Sequence, residues 1–267
     1  METKDIPGID ASVPSAARIY DYTLGGTRNF EADRRAAEHM FTLLPSTRKW
    51  VRMLRESLRQ FASRLAGEGF SRFVDFGSGL PTNDHVHAAA PGARVVYSDK
   101  DPETVAHARA LLGESPNVLY LESDLRAAKA LLESAQVRDF LGGEDRRTAL
   151  GANAVAVFLS EEEIRRFCRD LYDWAAPGSK LFMTFETKDP ALTTPRWEQF
   201  EGMFHRLGEP FRLCAIGEYL DMCRPWTVDA AGPVPLERFL GHPAGTITEE
   251  DREGIGLEFY AVILEKK

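Results

Sequence analysis

Three acids stand at the ends of three short apolar runs: Asp75 in FVDFGSG, Asp99 in ARVVYSD and Asp124 in LYLESD. The first run continues through Gly77, Ser78 and Gly79 into Leu80, Pro81 and Thr82. A short apolar run closed by a glycine turn reads as a buried parallel strand whose carboxyl end opens on a ligand. The two glycines let the backbone turn tightly and approach that ligand. Asp99 follows Gly79 by 20 positions (99 − 79), where an acid accepts hydrogen bonds from a ribose diol. Asp124 is placed to accept from an adenine amino group, with Leu125 packing on the ring. The alternative for all three acids is capping of the turn or helix that follows each of them.

The nucleoside can be narrowed further. A dinucleotide site asks for a third glycine and brings a helix N-terminus to a pyrophosphate. Here Leu80, Pro81 and Thr82 take that place, and the first strand carries an acid, Asp75. A carboxylate there repels a pyrophosphate and attracts an ammonium or a sulfonium. S-adenosylmethionine offers an adenosine, a diol, an amino-acid ammonium and a sulfonium, and it has no phosphate.

The elements that must hold these residues follow from the apolar pattern. Strands are expected at 73–76, 94–98, 118–122, about 149–155 and 180–186, with helices at about 82–89, 102–112, 127–141 and 161–175. Strands alternating with helices imply a parallel, doubly wound α/β sheet. Three amphipathic segments precede it, at 14–24, 31–44 and 47–65. The last carries Trp50, Leu54, Leu58, Phe61 and Leu65 along one stripe. After the fifth strand come a helix at 194–207, a run at 211–215, and a proline- and glycine-rich flap at 222–251. A last strand at 257–264 is placed to pair antiparallel. Residues 1–13 read as a loose tail.

Composition removes several functions. A net charge of −8 argues against a nucleic-acid partner. No apolar run reaches the roughly 18 residues of a membrane span, and the polar, acidic start METKDIPGID is no secretory signal. Cys168, Cys214 and Cys223 lack metal-type spacing and read as reduced thiols of a cytoplasmic protein. No metal site is expected.

The segments ARIYDYTLGGTRNFEADRRAAE, FGSGLPT and ARVVYSDKDPETVAHARALL together resemble an actinobacterial family of S-adenosyl methyltransferases, within the class I S-adenosylmethionine-dependent enzymes. The likeness covers roughly residues 14–135. It implies a Rossmann-like sheet of order 3-2-1-4-5-7-6 whose last strand is antiparallel. It also implies a helical cap over the cofactor at 1–66, joined to a methyltransferase domain at 67–267 with acceptor-site elaboration at about 187–255. Tyr20, Tyr22, Gly25, Gly26 and Asn29 match the family's tyrosine–glycine signature and are expected at the methionine end of S-adenosylmethionine. Core packing of the tyrosines and a glycine helix stop are the competing reading. His87 matches a family histidine and His85 replaces a more usual asparagine; both read as packed or surface residues. After the fourth strand the family's histidine–phenylalanine pair becomes Val157 and Phe158.

The expected cofactor set is therefore Tyr20, Tyr22, Gly25, Gly26, Asn29, Asp75, Gly77, Ser78, Gly79, Asp99, Lys100, Asp124, Leu125, Asn153 and Val155. Methyl transfer is an in-line displacement in which orientation supplies much of the rate. A base matters only if the acceptor must lose a proton. Glu186 and His205 are the catalytic candidates, with Glu218 and Tyr219 behind them. Trp197, Phe200, Phe204, Tyr219 and Trp226 are expected near the acceptor, which would then be a planar or apolar small molecule of secondary metabolism. Two other readings stay open: a non-methylating reaction such as cyclisation, and a non-catalytic sensor of the cofactor. Replacing Asp99 by Ala is expected to weaken S-adenosylmethionine binding by about 1–3 kcal/mol through lost charge-assisted hydrogen bonds. Unchanged calorimetric affinity in a folded D99A protein would remove the ribose assignment.

Overall fold

The computed structural model describes residues 10–81, 85–142, 146–206, 208 and 211–267. Among them, eight strands form one sheet: β1 (Arg72–Phe76), β2 (Arg94–Asp99), β3 (Val118–Glu122), β4 (Ala149–Ala152), β5 (Lys180–Thr187), β6 (Thr227–Val228), β7 (Val234–Pro235) and β8 (Glu258–Glu265). Their order is β3-β2-β1-β4-β5-β8-β6, with β7 also paired to β8. The first five run parallel, and β8 lies antiparallel to β5. This is the doubly wound α/β sheet with an antiparallel C-terminal strand that the sequence implies.

The sixth strand departs from the expected pattern. It is split into β6 and β7, which pair with different stretches of β8. Between them Ala231 and Gly232 fold back on Asp229, whose carboxylate accepts from the Ala231 N–H. Pro233 and Pro235 lack the N–H that a continuous ladder would use.

Helices α1 (Ala16–Thr23), α2 (Glu31–Leu43) and α3 (Thr47–Gly67) precede the sheet. Around it follow α4 (Val86–Ala89), α5 (Pro102–Leu112), α6 (Ala128–Glu133), α7 (Ala135–Leu141), α8 (Glu161–Trp174), α9 (Pro195–Arg206), α10 (Ile216–Met222) and α11 (Leu236–Phe239). Successive side chains of a strand point to opposite faces. Phe73 accordingly joins a core with the α3 stripe, while Val74 and Phe76 join a second core with Ile164, Phe167 and Leu171 of α8. The buried Arg18 of α1 bonds Asp33 at 2.8 Å and Glu103 at 2.6 Å, tying α1 to α2 and α5.

Local chemistry accounts for the other differences. The helix expected at 127–141 breaks at Ser134, whose hydroxyl caps α7 by accepting from Val137 N. β4 ends at Ala152 because Asn153 turns its amide to the Leu54 carbonyl at 3.0 Å and Ala154 adopts φ 60°. Residues 211–215 form no regular element. Residues 1–9 of the expected tail, 82–84 of the helix expected at 82–89, and Leu207 lie outside the described residues. The 222–251 flap is largely irregular, yet it is anchored: Phe239 of α11 packs on Phe61 of α3 with ring centroids 4.6 Å apart.

Phe61 also stacks on Phe182 of β5 at 5.2 Å. Phe182 faces Gly151 in the β4–β5 register, and a Cβ on Gly151 would collide with its ring. Because the ring is clamped between α3 and the sheet, it has nowhere to retreat. Gly151→Ala is expected to destabilise the fold by about 1–3 kcal/mol, the usual cost of overpacking, as a lowered midpoint in denaturant unfolding.

Candidate active site

A cavity of about 740 Å³ opens at the carboxyl ends of β1, β2, β4 and β5, under α1 and the first half of α3. Its floor is the turn after β1. Gly77 and Gly79 both sit at φ 63°, the left-handed region that favours glycine. A Cβ on Gly77 would also stand 2.7 Å from Val155 Cγ1. Ser78 N–H donates to the Ser98 carbonyl, and Ser78 Oγ donates to the Asp75 carbonyl at 2.7 Å.

Asp99 lines the cavity at the end of β2. Its Oδ2 accepts from Gly79 N at 2.9 Å and its Oδ1 from Asp101 N at 3.0 Å. Burial pushes its carboxyl above the usual range, and the two backbone N–H groups oppose that shift. A carboxylate fixed this way keeps lone pairs for a diol. Asp75 is buried and lines the same cavity. Burial pushes its carboxyl up to about 7, against the pull of the Ser78 hydroxyl and the Arg55 guanidinium and with a push from Asp99.

Glu186 lines the same cavity from the face of β5 that Phe185 does not use. It is 4% exposed, and burial pushes its carboxyl up to about 8. Thr184 Oγ1, which accepts from Ala154 N at 2.8 Å, is 3.5 Å from Glu186 Oε1. Oε2 has no hydrogen-bond partner among the described residues. The same cavity is lined by Phe158, Trp197, Phe200, Phe204 and Phe211, with Phe204 stacked on Phe211 at 4.6 Å. Trp50 and Phe259, stacked at 4.3 Å, close the cavity further.

The cavity gathers most of the expected residues: Tyr20, Gly25, Gly26, Asp75, Gly77, Ser78, Gly79, Asp99, Lys100, Leu125, Asn153, Val155 and Glu186. Four are placed elsewhere. Tyr22 turns away and donates to Glu38 at 2.8 Å. Asn29 is buried behind the glycine pair, donating to Asp21 and to the Gly26 carbonyl, so it braces that turn. Asp124 does not line the cavity; its carboxylate caps the following turn through Arg126 N and pairs with the Arg126 side chain. His205 is exposed on α9, off the face that carries Trp197, Phe200 and Phe204 into the cavity, and does not line it. Tyr219 and Trp226 belong to the opposite core, and Glu218 is exposed and accepts from Ala215 N at the start of α10. His85 and His87 are packed residues bonded to the Ser78 carbonyl and to the Tyr97 hydroxyl.

Sequence reasoning missed Arg55, Asp21, Thr184 and Phe211. For Arg55 a signal existed, since it falls within the apolar stripe between Leu54 and Leu58.

A family model described as S-adenosyl methyltransferase matches residues 2–247. The chain belongs to that family. It is an S-adenosylmethionine-dependent methyltransferase, and S-adenosylmethionine is its cofactor. A methyltransferase candidate from Thermobifida fusca YX is 32% identical, with 98% of each chain covered and a TM-score of 0.83. A DUF574 family protein from Streptomyces avermitilis is 26% identical over 97% of this chain and 99% of its own, with a TM-score of 0.84. The geranyl diphosphate C-methyltransferase of Streptomyces coelicolor shares the fold at 11% identity, covering 77% of this chain and 79% of its own, with a TM-score of 0.52. A search of curated proteins finds no match.

The donor set fits the cofactor: a held carboxylate for a diol, a second acid for positive charge, and an open glycine turn. A cation beside Asp75 favours its ionised form, so binding should expel a proton where the free protein holds one. Affinity for S-adenosylmethionine is expected to rise with pH until about 7 and then level. Calorimetry in buffers of different ionisation enthalpy should show proton release below that point, and Asp75→Asn should abolish the component.

Proposed function

We propose that the protein methylates a small, largely apolar or aromatic acceptor of secondary metabolism, with Glu186 as the acceptor-side base. In this reading the bound cofactor supplies a methyl group already activated on a sulfonium, which departs as a neutral thioether. Asp99 holds the diol, Asp75 faces the ammonium, and the turn from Gly77 to Gly79 lets the backbone lie against the ligand. Leu125 and Val155 wall the nucleoside, and Tyr20, Gly25, Gly26, Lys100 and Asn153 complete that end. Residues 1–66 serve as the cap and 67–267 as the catalytic domain.

The observation that carries the acceptor assignment is that one cavity is lined both by the buried, half-unpartnered Glu186 carboxyl and by the aromatic rings. An apolar body can pack on Trp197, Phe200 and Phe204 while its O–H or N–H meets Glu186 Oε2. As the acceptor's lone pair bonds the methyl carbon, its proton passes to the ionised Glu186. A cavity that joins aromatic rings to a buried carboxyl favours an acceptor site over a sensor. The net charge of −8 speaks against a nucleic-acid acceptor. No helix among the described residues is long and apolar enough to cross a membrane. Three free cysteines agree with a reducing, cytoplasmic setting.

The test is methyl-labelled S-adenosylmethionine with a panel of phenols and aryl amines, monitored for adenosylhomocysteine and labelled product. Turnover of an acceptor without adenosylhomocysteine would move the reading to a non-methylating reaction. With a productive acceptor, Glu186→Gln is expected to lower kcat by about 10²–10³-fold, within the range of lost general-base catalysis. In the free protein the Glu186 carboxyl is pushed up to about 8, so the wild-type kcat/KM should climb toward that pH. The E186Q profile should lack this rise.

A further inference from the structure

Arg55 is the least explained charge in the fold. It projects from α3 into the cavity and is 9% exposed. No carboxylate among the described residues lies within ion-pair distance of it, and its Nε has no hydrogen-bond partner. Its Nη1 donates to His85 Nδ1 at 2.8 Å, and His85 Nε2 is 3.1 Å from the Ser78 carbonyl. That network sets the tautomer: Nε2 carries the proton for Ser78, and Nδ1 offers a lone pair to Arg55. His85 is therefore neutral and cannot balance the guanidinium. The Tyr20 ring lies 5.3 Å from the guanidinium. A buried cation with no ion-pair partner is costly unless an anion joins it.

The place of Arg55 says which anion. Through His85 it is fastened to the backbone of Ser78, at the centre of the glycine turn. Asp75, at the start of that turn, lines the same cavity and makes no ion pair with Arg55 among the described residues. Two groups of opposite charge that line one cavity without pairing match the two charges of an α-amino-acid zwitterion. Resting on the reading of this cavity as the cofactor site, we propose that Arg55 is the receptor for the cofactor's amino-acid carboxylate, with Asp75 receiving its ammonium and His85 positioning Arg55. The planar guanidinium suits this task because it presents paired donors to a carboxylate. Tyr20 covers the pair from α1.

Three ligands separate the parts by calorimetry on the full chain. Adenosylhomocysteine carries both charges, its decarboxylated analogue keeps only the amine, and 5′-methylthioadenosine has neither. The wild-type protein is expected to prefer adenosylhomocysteine over the decarboxylated analogue by about 10–100-fold, the scale of a charge-assisted pair. In Arg55→Met that preference should fall to near unity while 5′-methylthioadenosine binds as before. Arg55→Lys, which keeps the charge and loses the fork, should retain part of it and guards against a folding defect in R55M. Absence of the preference in the wild type, or its survival in folded R55M, overturns the assignment and leaves Arg55 serving some other anion. Failure of the wild type to bind even 5′-methylthioadenosine would instead strike the reading of the cavity itself.

Discussion

The site is governed by the cost of burying charge. Asp75, Asp99, Glu186 and Arg55 are all at least nine-tenths buried around one cavity, and a buried charge without a partner is expensive. Each is handled differently. Asp99 receives two backbone N–H groups. Asp75 and Glu186 retain their protons further up the pH scale. Arg55 leans on a neutral histidine and a tyrosine face. The α1 wall of the cavity is itself fixed by buried ions, because Arg18 holds α1 through Asp33 and Glu103. Loosening that network would admit water and undo the shifts together.

The two halves of the cavity are mechanically joined. Ala154, at φ 60°, donates to Thr184 of β5, and the same turn presents Val155 to Gly77. Glycine is thus demanded twice at position 77, by its backbone angle and by the Val155 methyl against it. The Thr184 hydroxyl links this turn to Glu186. A displacement at the glycine turn would therefore be felt at the acceptor side through one side chain and one hydroxyl.

Backbone-determined features were legible in the sequence and side-chain directions were not. Asp75, Asp99, Gly77 and Gly79 could be read because a strand end and a tight turn leave them one direction to face. Asp124 looked equivalent, yet Arg126 two residues later captures its carboxylate, a local competition that strand periodicity does not express. Tyr22 and Asn29 belong to a recognisable signature, but helix phase turns one to Glu38 and the Gly25–Gly26 turn consumes the other. His205 fails by helix phase as well, lying beside Phe204 in sequence and off its face in space. Arg55 was obscured because α3 carries five arginines in all, at 48, 52, 55, 59 and 64, and of these 55 alone is buried. The split sixth strand is legible in hindsight from Pro233 and Pro235.

Charge balance gives the arrangement its chemical sense. In the proposed reaction the cavity would hold a sulfonium opposite an ionised Glu186, a pair with no net charge. Transfer removes the positive charge from sulfur, and an ionised Glu186 left behind would then be a lone buried anion. Taking the acceptor's proton neutralises it in the same event, so the buried pair passes from one neutral state to another. A carboxyl that prefers its protonated form when alone, and its ionised form beside a cation, is suited to that exchange. The amino-acid end needs no such change, because the ammonium and carboxylate that would face Asp75 and Arg55 carry the same charges before and after transfer. The cavity can then combine a permanently ionic grip on the amino-acid group with a charge-neutralising step at Glu186.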